Sequence, residues 1–276
     1  MKLRNILVPT DFSPAADHAA VYACALAASS GATILLYHTY HIPVSNTEVP
    51  VVIVSAEELE QNNLERLKNY KEDLITRTHT SLNIECLTTA GFAVEEIKEV
   101  CADKKPDLVV MGISGSGKIG HALLGSVTTG VINQLSTPLL IIPEEAEYKG
   151  ISNLALAYDY HGELPASTMN QLQGFIDFFK AALQVVHIGP PNQKAHLEEA
   201  VSGVGLEDAL ANVTHTLHFP ENKDVIEGLK EFEEKSKPDL LVMIPKKHTM
   251  LDWIFHGSVS KRMAFHTHVP ILALHA

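Results

Sequence analysis

The sequence contains few of the residues that would place it outside the cell or in a membrane. Its only three cysteines, Cys24, Cys86 and Cys101, lie in apolar-patterned segments without paired spacing, which predicts buried thiols in a reducing cytoplasm. No stretch approaches the ~20 uninterrupted apolar residues of a membrane-spanning helix. The N-terminus enters a strand directly, where a signal peptide would have an apolar core. We therefore expect a cytoplasmic protein with no membrane partner.

Basic residues and catalytic constellations are also scarce. With 21 Lys and Arg against 33 Asp and Glu, the net charge of −12 disfavours nucleic acid as a partner. The 15 histidines follow no pattern of a structural zinc site, so no metal ligands are predicted. The sequence contains no nucleophile elbow, no acidic pair at a fixed spacing and no evident general base. We expect weak catalysis or none.

Glycines follow an apolar run at the point where a buried strand should end. The run 108–111 is succeeded by Gly112 and Gly115, and Gly125-Ser126 stands where another helix should begin. Glycines allow backbone N–H groups to converge, and a helix start adds unpaired donors and a positive dipole end. The pattern predicts a phosphate-binding site.

Two other interpretations of these glycines exist. Gly112 to Lys118 satisfies seven places of a P-loop, but Ile119 stands where that motif needs a hydroxyl for Mg²⁺. A flexible glycine loop without a ligand is the usual fate of a lone cluster. The preceding strand, the second glycine-serine pair and a polar N-terminal segment favour the phosphate site.

That N-terminal segment follows the first predicted strand, residues 6–8. Pro9 ends the strand, and Ser13-Pro14 is typical of a helix start, with serine as N-cap and proline in the first turn. Asp11 therefore lies at the carboxyl end of a strand, the edge at which open α/β sheets bind ligands. Its carboxylate suits ribose or base hydrogen bonds, and an Asx turn is compatible with that role.

The segment Pro-Thr-Asp-Phe-Ser and the motif G-x-x-G-x9-G-[ST], in this order, resemble the universal stress protein family. In its ATP-binding members, the residue matching Asp11 contacts the adenosine, the end of the second strand contacts the adenine, and the glycine motif wraps the phosphates. The resemblance implies ATP, alone or with Mg²⁺, bound by Pro9, Thr10, Asp11, Thr39, Met111, Gly112, Gly115, Gly125, Ser126 and Val127.

An internal repeat divides the chain. Lys105-Pro106-Asp107-Leu108 recurs 132 positions later, and so do Gly125-Ser126-Val127 and Pro138. An ungapped match through strand, loop, helix and strand indicates duplication of a whole domain. The boundaries predicted are 1–146 for a domain with the ATP-binding motif and 147–276 for a degenerate copy. In that copy Ile244 and Lys247 replace the first two glycines.

Strands and helices alternate in both predicted domains, which favours two α/β domains with doubly wound, open, parallel five-stranded sheets. The resemblance implies that the terminal strands, 139–142 and 271–274, pair within the chain as a pseudo-dimer, which removes both exposed edges. Association of two chains stays open. The resemblance implies a stress-response sensor in which nucleotide reshapes a surface read by a protein partner. The alternatives are a slow ATPase or phosphoryl-transfer enzyme, and a nucleotide-free scaffold.

Overall fold

Strands and helices alternate along the chain in this computed structural model, which describes residues 2–42, 55–113, 126–158, 165–190, 210, 213–244 and 267–275. The first half contains β1 (Asn5–Pro9), α1 (Pro14–Ser30), β2 (Thr33–Tyr40), α2 (Ala56–Thr78), β3 (Ile84–Ala90), α3 (Ala93–Lys104), β4 (Leu108–Gly112), α4 (Ser126–Gln134) and β5 (Leu139–Ile142). The second half contains β6 (Asn153–Ala157), α5 (Ala166–Phe179), β7 (Ala182–Val186), β8 (His215–His218), α6 (Val225–Ser236), β9 (Leu240–Met243) and β10 (Ile271–Ala273).

All ten strands form one sheet in the order β3-β2-β1-β4-β5-β10-β9-β6-β7-β8. Within each half the strands are parallel, and the order is the same from the outer edge to the junction. Buried apolar side chains cover both faces of the sheet in two clusters. Strands buried on both faces are characteristic of parallel sheets covered by helices. The predicted fold class is confirmed.

The halves meet where β5 and β10 pair antiparallel, as the sequence predicted. Leu140 lies opposite Leu272, its own counterpart in the repeat, and Leu139 lies opposite Ala273. Ile141 in turn lies opposite Ile271, the counterpart of Leu139, so the pairing is reciprocal about the central leucines. Reciprocal pairing of this kind is what a two-fold axis produces. The junction is therefore a pseudo-two-fold interface within one chain.

Helix α1 shows how the local sequence sets the boundaries of an element. The Ser13 hydroxyl accepts a hydrogen bond from the Ala16 N–H at 3.3 Å, and Pro14 begins the helix. Gly31 ends it in the left-handed conformation, at φ 72°. The start predicted from Ser13-Pro14 is confirmed, and the helix stops at Gly31, where glycine in the sequence predicts a stop.

Other boundaries differ slightly from the predictions. The sequence pattern predicts a helix over about 56–80, and α2 ends at Thr78 because His79 adopts the left-handed conformation, at φ 51°. The pattern also predicts a strand over 213–219, of which only the four residues of β8 pair with β7. Two further predictions, a helix over 259–265 and a contact of 51–54 with the other domain, lie outside the described residues. No helix in the described ranges is long and apolar enough to cross a membrane.

An aspartate recurs at the same place in both halves and fixes the entry to the first strand of each. Asp107 Oδ2 accepts from the N–H groups of Arg4, at 2.7 Å, and Asn5, at 3.0 Å. Asp239 Oδ2 accepts from the N–H groups of Ser152, at 2.8 Å, and Asn153, at 2.9 Å. The aspartate of the repeated Lys-Pro-Asp-Leu segment therefore has the same structural role in both halves.

We expect Asp107→Asn to lower the free energy of unfolding by about 1–2 kcal/mol, because hydrogen bonds to a charged acceptor are the stronger ones. Denaturant unfolding at pH 7 measures it. The control is Asp103→Asn, whose side chain is exposed and paired only with Lys104 among the described residues, and which should change stability by less than about 0.5 kcal/mol. Equal effects of the two substitutions would contradict the assignment.

Candidate functional site

A cleft opens at the carboxyl ends of β1, β2 and β4, where the strand order reverses direction around β1. Such switch points are the usual ligand sites of open α/β sheets. The cleft has a volume of about 210 Å³. Its walls are formed by Pro9, Thr10, Asp11, Ser13, Ala15, Ala16, Tyr37, Thr39, Ala93, Ile97, Met111, Gly112, Val127 and Thr128.

The turn after β1 presents Asp11 at the rim of this cleft. Thr10 continues the sheet, its N–H donating to the Tyr37 carbonyl at 2.8 Å. Asp11 Oδ1 accepts from the Ser13 N–H at 2.9 Å, which is the Asx turn anticipated from the sequence. Its Oδ2 has no hydrogen-bond partner among the described residues, and the side chain is exposed. One carboxylate oxygen thus holds the turn while the other is available to a ligand.

Phe12 fixes the conformation of this turn. It takes the left-handed region at φ 64°, which costs a residue with a Cβ about 1 kcal/mol or more. Its ring lies 4.6 Å from the His38 ring and 5.5 Å from the Tyr70 ring, and the Arg66 guanidinium lies 3.9 Å above it. His38 Nδ1 donates to the Thr10 carbonyl at 2.7 Å. These contacts offset the strain and hold the strand end in place.

Gly112 brings helix α1 against the end of β4. A Cβ at this position would lie 2.2 Å from the Ala15 carbonyl oxygen, which is backbone and cannot move aside. The glycine is therefore required for packing, in addition to any approach of phosphate. Thr128, in the first turn of α4, donates from Oγ1 to the Gly112 carbonyl at 3.3 Å and ties that turn to the same strand end.

The floor of the cleft is mainly apolar. Tyr37 is buried, and its hydroxyl is hydrogen-bonded to Thr89 Oγ1 at 2.5 Å. Burial raises the pKa of Tyr37 to about 12, so the phenol is neutral at pH 7. Ile97 and Met111 are buried beside it. A largely uncharged, apolar floor with polar strand ends above it suits an aromatic heterocycle.

The cleft brings together most of the residues predicted from the sequence. Seven of them line it: Pro9, Thr10, Asp11, Thr39, Met111, Gly112 and Val127. Ser126 begins α4, whereas Gly115 and Gly125 lie outside the described residues.

Sequence reasoning missed several lining residues, including Tyr37, Ala93, Ile97 and Thr128. Alternation along a strand could have found one of them. Tyr37 lies two residues before Thr39, on the same face of β2. The contributions of α3 could not be found that way, because its position over the cleft depends on tertiary packing.

The second half repeats part of this framework without the glycine. His187 Nδ1 donates to the Tyr158 carbonyl at 2.9 Å, as His38 does to Thr10 in the first half. At the position of Gly112, however, stands Ile244, which is buried directly after β9. The hydrogen-bonded strand ends are retained while a side chain occupies the place of the bare backbone.

The described ranges contain no metal-ligand cluster, and two of the three cysteines are buried. No group of three or more His, Cys, Asp or Glu side chains there could hold a metal ion. Cys24 and Cys101 are buried, and burial raises the pKa of each thiol to about 11, so neither is a thiolate at pH 7. Cys86 is only half-buried, less than the sequence predicted.

Comparison with known proteins agrees with the motif. The sequence model of the universal stress protein family matches residues 2–143. A universal stress protein encoded beside a sulfhydrylase gene in Thermus aquaticus is 30% identical over 139 residues, covering 50% of this chain and 98% of that protein. Universal stress protein Slr1230 of Synechocystis is 22% identical over 296 residues, covering 98% of this chain and 99% of its own.

A solved structure shares the whole architecture. The crystal structure of a universal stress protein from Archaeoglobus fulgidus superposes with a TM-score of 0.68. The match covers 99% of this chain and 97% of that one, at 16% identity. At this identity the likeness establishes the fold alone, and it extends across both halves.

Proposed function

Because this chain belongs to the universal stress protein family, we propose that its first half binds an adenine nucleotide, ATP alone or with Mg²⁺, in the cleft at the ends of β1, β2 and β4. The observation that carries this proposal is the meeting of seven predicted site residues around one cavity with an apolar floor and polar rim. Those residues come from positions as far apart as Pro9 and Val127.

The chemistry of the walls supports a proposed place for each part of the nucleotide. The base lies on the floor of Tyr37, Ile97 and Met111, with the backbone near Thr39 available for its edge. Asp11 Oδ2 accepts from a ribose hydroxyl. The cleft volume of about 210 Å³ is below the roughly 300–1,000 Å³ of pockets that enclose drug-sized ligands. The phosphates therefore extend beyond it, to the first turn of α4 and the glycines of the motif.

In the proposed function the two halves have different tasks. Residues 1–146 form the nucleotide-binding domain, and residues 147–276 form a degenerate domain in which Ile244 blocks the equivalent approach of phosphate. The nucleotide acts as a conformational ligand in a cytoplasmic stress response, and a protein partner reads the state of the loaded domain.

Mass spectrometry of the small molecules released from freshly purified protein tests this proposal. We expect an adenine nucleotide at up to one equivalent per chain, and a thermal shift when Mg-ATP is added to the emptied protein. Released phosphate should stay near the blank rate. No released nucleotide together with no thermal shift would support a scaffold instead, and rapid phosphate release would support an enzyme.

Filling the cleft should abolish binding selectively. We expect Ala93→Leu to weaken the nucleotide Kd at least tenfold, about 1.4 kcal/mol, because the added atoms enter the space beside Ile97. Isothermal titration calorimetry measures the change. The matched control is Ala102→Leu, on the exposed face of the same helix, with an unchanged Kd. Equal affinities of the two variants would place the ligand elsewhere.

A further inference from the structure

The stability of helix α4 depends on contacts with groups outside the helix. It has nine residues, Ser126–Gln134. The first four N–H and last four C=O groups of any helix lack intrahelical partners, so a helix of this length forms few internal bonds. Helices this short are marginal in isolation. The contacts at the two ends of α4 therefore decide how firmly its first turn is held.

The C-terminal end of α4 is held by the other half of the molecule. His275, two residues beyond β10, donates from Nε2 to the Ile132 carbonyl at 2.7 Å. Ile132 belongs to the last turn of α4, where the carbonyls need outside donors. A carbonyl oxygen can only accept, so the imidazole hydrogen is on Nε2. Burial lowers the pKa of His275, which keeps the ring neutral at pH 7.

The main chain of His275 is itself anchored within the second half. Thr168, whose side chain is fully buried in α5, donates from Oγ1 to the His275 carbonyl at 3.1 Å. At its other end, α4 is attached to β4 by the hydrogen bond from Thr128 Oγ1 to the Gly112 carbonyl. The last turn of α4 is thus attached to α5 and its first turn to the sheet.

The repeat makes this support one-sided. The residue that corresponds to His275 in the first half, 132 positions earlier, is Pro143. Proline has no side-chain donor, so the first half cannot return the same cap to the second. His275 belongs to the half in which Ile244 and Lys247 replace the first two glycines of the motif. The helix that it caps belongs to the half that retains those glycines.

We propose that His275 is a positioning residue of the nucleotide site, acting through α4. By capping the last turn it prevents the short helix from fraying, and the N–H groups of the first turn stay aimed at the phosphates. This role rests on the proposed function. Through His275 the second half supports nucleotide binding, although that half provides none of the predicted contacts to the ligand.

Two amide substitutions test the proposal. In His275→Gln the side-chain NH₂ reaches the position of Nε2, whereas in His275→Asn it is too short to reach Ile132. In the protein without nucleotide, we expect the α4 amides to exchange about five- to tenfold faster in the Asn variant than in wild type or the Gln variant. The Kd for Mg-ATP should weaken by a similar factor in the Asn variant alone.

The outcomes separate the cap from the nucleotide site. Unchanged α4 exchange in the Asn variant would overturn the proposal whatever the protein binds. Faster exchange with an unchanged Kd would leave a structural cap and overturn the positioning role. If wild type binds no nucleotide, the proposed function and the positioning role fall together, while the exchange data still report on the cap. If the Asn variant does not fold, Thr168→Val replaces it, because it removes the hydrogen bond to the His275 carbonyl. The same faster α4 exchange and weaker Kd for Mg-ATP are then expected of Thr168→Val.

Discussion

Alanine at position 112 should destabilise the folded protein by about 3 kcal/mol, in the absence of any nucleotide. The new Cβ would lie 2.2 Å from the Ala15 carbonyl oxygen and 2.6 Å from its carbonyl carbon. Both are backbone atoms at the start of α1, so relief requires the helix to move away from β4. Such a shift would also open the wall of the cleft. Denaturant unfolding of the emptied protein measures the loss.

Gly130→Ala is the matched control for this substitution. Its Cβ would lie 2.7 Å from Val94 Cγ2, the end of a side chain, and alanine is favoured over glycine within a helix by about 1 kcal/mol. We expect the two effects to offset, with a net change below about 1 kcal/mol. If Gly112→Ala left the emptied protein as stable as wild type and weakened only nucleotide binding, the glycine would serve the phosphate and not the packing.

The free energy of unfolding of the wild-type protein should fall as the pH rises, and Glu233→Gln should abolish part of this fall. Glu233 is buried on α6, where Oε2 accepts from Thr267 Oγ1 at 2.9 Å and Oε1 has no partner among the described residues. Burial raises the pKa of Glu233 to about 7 from an ordinary value of 4.5. The carboxyl group is therefore protonated in the folded protein at pH values where the unfolded chain has already released the proton.

The sign of the effect follows from this difference in bound protons. Between about pH 4.5 and 7 the folded state holds more protons, so the free energy of unfolding falls as the pH rises and levels off above pH 7. The shift corresponds to a loss on the order of 3 kcal/mol. A neutral glutamine does not titrate. The stability of Glu233→Gln relative to wild type should therefore increase across this window.

Denaturant unfolding at a series of pH values from 5 to 8 measures this difference, and the subtraction removes titrations common to both proteins. Glu234→Gln, at the exposed neighbouring position of α6, is the control and should run parallel to wild type. If the stability of Glu233→Gln also ran parallel to that of wild type from pH 5 to 8, the Glu233 carboxyl group would be ionised and solvated throughout that range.

Local patterns in the sequence were sufficient for the elements and for much of the cleft. The cap at Ser13, the proline after it and the glycine at 31 mark α1 because each acts on its own backbone. The family resemblance, together with the repeat, predicted that β5 pairs with β10, and the two strands do pair. Strand ends collect at one edge of a parallel sheet, which is why Asp11 and Gly112 could be placed together.

Features that depend on tertiary distance could not be found this way. Nothing in the sequence near Gly112 indicates that the Ala15 carbonyl lies against it, and the glycine was attributed to phosphate alone. The burial of Glu233 is equally hidden, because charged residues surround it along α6. His275 and Ile132 are 143 positions apart, and their hydrogen bond exists only because the two halves share a sheet.

The antiparallel seam between β5 and β10 has a consequence for how the molecule responds to dilution. Both strands belong to one polypeptide, so their association is a unimolecular equilibrium governed by the tether between them. An interface between separate chains dissociates as its components become scarce, whereas this one does not. The melting temperature of the seam is set by the chain itself and should be the same at nanomolar and at millimolar amounts of protein.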